Sequence, residues 1–406
     1  MVAKRWGDFS DCDIAEVKAD SVRFGKQICW RMFLICSIFR GMAQQRPPDP
    51  TVLPGIKLRG RGVASNAAGR FEPQARCAVD DGWGGDPDPV VLRTEVRLER
   101  PRSAISYNKS PDLPFDRSIN PYRGCEHGCA YCYARPSHAY LNLSAGLDFE
   151  TRLIARPGIA EVLASELRAP KYRAAPIAIG TNTDPYQPIE AGHRLMRQVL
   201  EVLQASHHPV AVTTKGSLVE RDADILGPMG QAGLARVGVS IITLDPALSR
   251  GLEPRAPSPQ RRLAMIRRLT EAGCPVRVMV APVIPGLTDA ELEAILEAAR
   301  AAGAVAASWI LLRLPGEVEA LFRDWLEAHA PGRAAKVLAR LAELHSGAVY
   351  DAQFGTRMRG RGLWADLMEK RFALTRGRLG LDLAQPPLRC DLFTPPARAG
   401  DQLSLF

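Results

Sequence analysis

Gly124-Cys125-Glu126-His127-Gly128-Cys129-Ala130-Tyr131-Cys132-Tyr133 is the stretch on which the reading of this chain turns. Its three cysteines follow a C-x3-C-x2-C spacing. Thiolates are soft ligands, suited to zinc or to iron–sulfur clusters. A structural zinc site takes four protein ligands, and an electron-transfer cluster is normally held by four cysteines. Here a fourth ligand would have to be a distant cysteine or His127, which is poorly placed between two of the three. Three thiolates on one tight loop can instead hold three corners of a cubane and leave the fourth iron open for a substrate or cofactor. Gly124 and Gly128 suit a loop that must bend around such a group. Zinc and a redox-only cluster stand as the alternatives.

Outward from this loop, from about residue 115 to 330, short β-rich runs alternate with longer helical patterns. That alternation predicts βα units on a parallel sheet. Strands are expected over 177–181, 210–214, 237–242, 276–280 and 306–312, with another ending just before Cys125. Helices are expected over 159–167, 189–205, 223–232, 259–272 and 289–302. Leu195, Val199, Val202 and Leu203 make an amphipathic stripe. Thr288 reads as a cap before acidic first-turn residues, and Gly273 and Gly303 as helix stops. Six such units form an α/β fold, an incomplete (βα)6 TIM-like barrel open on one side.

The 406 residues are 46% hydrophobic and 24% charged, the balance of a soluble globular protein, with a formal net charge of +9. A basic balance favours an anionic partner, nucleic acid foremost. Nine cysteines, an odd number with one cluster, do not make a secreted disulfide scaffold, so a reducing, cytoplasmic compartment is expected. The apolar run 28–39 is short of the roughly 20 residues a membrane span needs and is interrupted by Arg31. No membrane association is expected. Residues 1–41 read as a non-native or mis-started extension, with Met42 an alternative start. Residues 42–114 read as an irregular basic segment, 331–394 as a helical and basic extension that includes a helix over 331–345, and 395–406 as a flexible tail.

The cysteine loop with Tyr131 in its aromatic place resembles the signature of the radical S-adenosylmethionine (SAM) superfamily. The wider strings Asn120-Pro121-Tyr122-Arg123-Gly124-Cys125 and Cys129-Ala130-Tyr131-Cys132-Tyr133-Ala134-Arg135-Pro136 are similar to its spore photoproduct lyase-related branch. The resemblance runs over about 55–385 and implies the same incomplete barrel. It also implies a [4Fe–4S] cluster on Cys125, Cys129 and Cys132, with SAM chelated at the open iron. Reductive cleavage there gives a 5′-deoxyadenosyl radical, and the electron comes from a flavodoxin- or ferredoxin-type donor.

Site residues follow from the same resemblance, at strand ends where barrel sites gather. Thr181, Asn182 and Asp184 occupy the place that contacts the SAM amino group, although Asp184 also suits a turn before Pro185. Lys215 and Ser240 match positions that hold the SAM carboxylate or ribose; a solvated strand-end charge and a core hydroxyl are their plain structural readings. Glu253 and Arg255 are expected at the mouth. Tyr131 and Tyr133 are candidates for contacting SAM (Tyr131) and for relaying a radical, or are packing aromatics. Authentic lyases of this branch carry a hydrogen-donating cysteine near the second strand end. Here 179–182 read Ile-Gly-Thr-Asn, which counts against that particular activity. Cys274 reads as a small apolar residue.

The 353–378 region is rich in arginine with interleaved glycines. Arg357, Arg359 and Arg361 are its nucleic-acid candidates, read as a loop that approaches a phosphate backbone closely; an ordinary solvated helix face is the alternative. Gln402, Leu403, Leu405 and Phe406 in the terminal string QLSLF resemble the peptide that bacterial replication proteins insert into the DNA sliding clamp. The functional expectation is a radical SAM enzyme acting on nucleic acid, in DNA repair or base modification. A non-DNA substrate, and a noncatalytic iron–sulfur protein that binds nucleic acid or the clamp, are the alternatives.

Overall fold

A computed structural model of the chain describes residues 60–72 and 92–397. The expected extension at 1–41, most of the segment from 42 to 91 and the string 402–406 lie outside these residues. The larger sheet has seven strands: β2 (Ile105–Tyr107), β3 (Arg117–Ile119), β6 (Ile177–Ile179), β7 (Val210–Thr214), β8 (Ala235–Ser240), β9 (Val276–Val283) and β10 (Ala306–Leu311). Their order is β10-β9-β8-β7-β6-β3-β2. From β3 to β10 every neighbouring pair is parallel, and β2 runs antiparallel at the edge. Six parallel strands with helices between them form the partial barrel expected from the alternation. Val212, Val237, Val239, Val276 and Val278 are fully buried or nearly so, as β-branched residues are on a parallel sheet covered on both faces. Among the described residues, no helix is long and apolar enough to cross a membrane.

Several boundaries depart from expectation for identifiable reasons. The strand just before Cys125, β4 (Tyr122–Arg123), belongs to a second, three-stranded sheet with β1 (Glu95–Leu98) and β5 (Arg152–Ala155), in the order β1-β5-β4. The first parallel barrel strand ends earlier, at Ile119. Two of these strands, β1 and β2, fall in the segment read as irregular. The helix expected over 189–205 is broken at Arg194, which takes a positive φ of 51°. The buried Glu190 carboxylate then accepts from the Leu195 and Met196 amides at 3.0 and 3.1 Å and starts the helix Leu195–Ala205 afresh. Thr288 stands at the N-cap position, before the acidic Asp289 and Glu291, but of a 3-10 turn, Asp289–Glu291, that precedes the helix Leu292–Ala301. Its hydroxyl makes no capping bond and accepts from the Ile284 amide at 2.9 Å instead. Gly273 and Gly303 stop their helices with φ of 90° and 105°. The region 353–378 is not one loop: a helix occupies Leu363–Arg378. Helices Pro246–Leu252 and Val318–His329 were not anticipated, while Pro331–Leu344 was.

Candidate active site

The cysteine loop is shaped from behind by residues distant in sequence. Gly128 has a φ of 67°, and a Cβ there would lie 2.6 Å from Glu150 Oε2. Gly62 passes closer still: a Cβ on it would sit 1.6 Å from the Gly128 carbonyl oxygen. Only glycine permits that approach. The Gly62 amide donates to Glu150 Oε2 at 3.0 Å, and Arg61 donates to the Glu150 carbonyl at 2.9 Å. Glu150 is fully buried and ion-paired with the fully buried Arg135. Arg135 in turn donates to the Cys129 carbonyl at 3.0 Å and to the Ala145 and Gly146 carbonyls. A buried ion pair of this kind is tolerated because both partners are hydrogen-bonded on all sides. Its effect here is to fix the backbone that carries the thiols.

In front of the loop lies a cavity of about 500 Å³, lined by Cys125, Cys129 and Cys132 together with residues at the C-terminal strand ends. Cys125 and Cys129 are buried and Cys132 is half-buried, and all three are free thiols. Burial raises all three above the usual thiol range, so they remain protonated until a cationic group claims them. Among the described residues, no three His, Cys, Asp or Glu side chains are grouped to hold one metal ion. The three thiols nevertheless line one cavity, and thiolates are the donors that hold iron–sulfur clusters. The buried His127 ring turns Nδ1 toward Asp184 Oδ2 at 3.4 Å.

The cavity collects every residue named above for SAM: Tyr131, Thr181, Asn182, Asp184, Lys215 and Ser240. Asp184 is committed within the protein. Its Oδ1 accepts from the Tyr186 amide at 2.9 Å and the Thr214 hydroxyl at 2.6 Å, and its Oδ2 from the Lys215 amide at 2.7 Å. Burial opposes its ionisation, but His127 and these donors prevail and bring the carboxyl to about 2. The Tyr186 amide bond is the turn contact expected before Pro185, while the other two tie Asp184 to the end of β7. Lys215 Nζ donates to Ser240 Oγ at 3.2 Å, lies 3.7 Å from Glu253 Oε1 and 5.9 Å from the centre of the Tyr131 ring. Burial works against its charge, yet Glu253 holds the ammonium above the ordinary lysine value. Ser240 Oγ donates to the Ala281 carbonyl at 2.8 Å.

Glu253 is not at the mouth. It is 1% exposed and bonded to Arg262, itself 1% exposed, and to the Tyr131 hydroxyl. Apolar packing and the Arg262 charge draw it inward, behind Lys215. Arg255 pairs with Glu126 instead of entering the cavity. The Tyr133 hydroxyl donates to the Thr181 carbonyl, with its ring half-exposed in the cavity wall. Cys274 is buried and does not line the cavity.

The three candidate arginines separate. Arg357 reaches the cavity, but its guanidinium is held by Asp112 at 2.6 and 2.7 Å. Arg359 lies 4.5 Å from the centre of the Trp309 ring and 3.3 Å from Glu369, and Arg361 bonds Gln353 at 2.6 Å. Neither lines the cavity. The structure instead brings in Arg313, just past the end of β10, which sequence reasoning missed. An arginine after an apolar run gave no signal beyond its strand-end position.

Three thiols thus share one cavity with the C-terminal strand ends of a partial barrel, the end at which TIM-like enzymes carry their sites. The family model for the radical SAM superfamily matches residues 119–299. The uncharacterized protein Rv2578c of Mycobacterium tuberculosis is 41% identical over 243 residues, which cover 59% of this chain and 70% of that relative. The uncharacterized protein MJ0683 of Methanocaldococcus jannaschii is 27% identical over 199 residues, 49% of this chain and 71% of that one. Spore photoproduct lyase complexed with dinucleoside spore photoproduct superposes with a TM-score of 0.50 at 16% identity, over 70% of this chain and 79% of the lyase. At that identity the likeness concerns the fold. The chain belongs to the radical SAM superfamily and is a radical SAM enzyme.

Proposed function

We propose that Cys125, Cys129 and Cys132 hold a [4Fe–4S] cluster, that SAM binds beside it in the same cavity, and that the substrate is a nucleic acid. The observation carrying this reading is the cavity itself, in which the three thiols share one wall system with Lys215 and Ser240. The cluster, when bound, supplies the electron that cleaves SAM and releases a 5′-deoxyadenosyl radical. The chain's own work is binding and orientation. Lys215 presents a fixed ammonium to the SAM carboxylate, aimed by Ser240 and Glu253. Asp184 serves as a positioning residue that locks the β7 end by accepting from Thr214 and Lys215. Thr181 and Asn182 border the space left for the methionine end. Tyr131 is tied to Glu253, so Tyr133, half-exposed, is the better placed of the two tyrosines to meet a substrate radical.

Nucleic acid is supported by the net charge of +9, by Arg313 at the cavity, and by the fold shared with a lyase whose structure holds a dinucleoside photoproduct. Strand-end residues 179–182 contain no cysteine, so the reaction differs from that lyase in its hydrogen donor. A flavodoxin- or ferredoxin-type reductant and a sliding clamp engaged by Gln402, Leu403, Leu405 and Phe406 complete the partners proposed for it. The decisive test is anaerobic reconstitution followed by dithionite and SAM, with and without damaged DNA. Wild type should release 5′-deoxyadenosine and the Cys132→Ala variant none. A fully loaded wild-type cluster that yields no 5′-deoxyadenosine refutes the reading.

A further inference from the structure

The cavity lining carries two chemistries. One is that of the thiols, Lys215 and Ser240; the other is that of Leu113, Phe115, Tyr133, Met358, Arg357 and Arg313. In this second group, Arg357 is neutralised by the bidentate pair with Asp112, whereas Arg313 is not. Its Nη2 donates to the Tyr350 hydroxyl at 3.3 Å, and its buried Nε has no hydrogen-bond partner. Among the described residues, no carboxylate pairs with it. The guanidinium lies 5.1 Å from the centre of the Tyr133 ring. An arginine held in a cavity wall against an aromatic face, with a desolvated donor unused and no counter-charge, is poised for an anion.

We infer that Arg313 forms a phosphate subsite for the substrate strand, with Tyr133 and Phe115 offering apolar faces to the adjoining base. The inference rests on the nucleic-acid reading above and makes it specific: a phosphodiester oxygen docks on Arg313. That places the neighbouring nucleoside in the cavity between the arginine and the thiol wall. Arg313 stands just past the C-terminal end of β10, the position from which barrel residues reach a bound substrate. Stacking of a base on Tyr133 or Phe115 is the usual sequence-tolerant companion of such a phosphate contact.

The test is fluorescence anisotropy of a short labelled single-stranded DNA with the reconstituted full chain, repeated over a sodium chloride series. Each phosphate contact contributes about 0.7 to the slope of log affinity against log salt on single strands. Arg313→Met should therefore flatten the slope by about 0.7. Arg313→Lys should keep the slope but weaken binding several-fold, since lysine retains the charge without the planar fork. Arg340→Met, an exposed position on the helix Pro331–Leu344 paired with Glu343, should bind as wild type does. A wild-type slope in Arg313→Met, or an equal loss in Arg340→Met, overturns the subsite. Should the methionine variant not fold, the lysine variant decides: unchanged affinity and slope overturn the subsite too. If wild-type protein shows no salt-dependent DNA binding, the nucleic-acid reading fails first and the subsite with it.

Discussion

Gly62→Ala is the most demanding perturbation of the site, because it touches no thiol and adds one methyl group. Built on the present backbone, that methyl would sit 1.6 Å from the Gly128 carbonyl oxygen, 2.8 Å from its carbon and 3.3 Å from the Ala130 amide nitrogen. The atoms it meets are backbone, so no side-chain rotation relieves the overlap. To reach even a tight contact of 3.0 Å the two segments must part by about 1.4 Å. Parting weakens the Gly62 amide bond to Glu150, a hydrogen bond to a charged group worth about 1.5–3 kcal/mol, and loosens the packing over the buried Arg135–Glu150 pair. A loss of about 3 kcal/mol would lower the melting temperature of a chain this long by roughly 3–4 °C. The loop between Cys125 and Cys129 moves with Gly128, and misplacement of about 1 Å at a reactive site can cost on the order of 100-fold. Iron and sulfide per chain after anaerobic reconstitution, alongside thermal unfolding, are the measurements. Gly332→Ala is the control, since its Cβ would meet nothing within 4 Å in a helix, and alanine there should be neutral or slightly stabilising. Wild-type iron content together with a wild-type melting temperature in Gly62→Ala would show that the loop is not clamped as described.

Two further outcomes follow from the buried charges. Glu253→Gln leaves Arg262 buried without its counter-charge and should destabilise by about 3–5 kcal/mol in denaturant unfolding; a loss under about 1 kcal/mol would show the network to be dispensable. Burial pushes the His208 imidazole down to about 4, with Arg117 adding to the effect and the Pro209 carbonyl opposing it. An unfolded histidine titrates near about 6.5, so between these values the unfolded chain binds more protons and stability rises with pH. This contribution, up to about 3 kcal/mol, is complete above about pH 6.5 and lost on acidification toward pH 4. His208→Asn should flatten that part of the unfolding curve, and an unaltered pH profile in the variant would dismiss the assignment.

The barrel was legible because its signal is local. β-branched runs such as Val210–Thr214 and amphipathic stretches such as Ile159–Leu167 carry their period within a few residues, and both stand where the sequence put them. The cysteine loop was legible for the same reason. What escaped depends on partners far away in the chain. Glu150 meets Gly62 across 88 residues. Arg371 and Arg378, in the arginine-rich 353–378 region, pair with Glu293 and Glu297 some 80 residues earlier. No local pattern announces such pairs, and a run of arginines looks the same whether its counter-charges lie on a ligand or on a neighbouring helix.

The distribution of those pairs is itself an argument about the site. Carboxylates neutralise Arg135 behind the cysteine loop, Arg262 behind Lys215 and Arg357 in the cavity wall. Among the described residues, two cations facing the cavity remain available to a ligand: Lys215, which shares Glu253 with Arg262, and Arg313. Each lies over the ring of a tyrosine from the cysteine loop, Lys215 over Tyr131 and Arg313 over Tyr133. Tyr131 and Tyr133 flank Cys132 in sequence, so one short segment sets the spacing between a thiol and both anion-seeking groups. The two cations are thereby tied, each through a tyrosine ring, to the same three-residue segment that carries the Cys132 thiol.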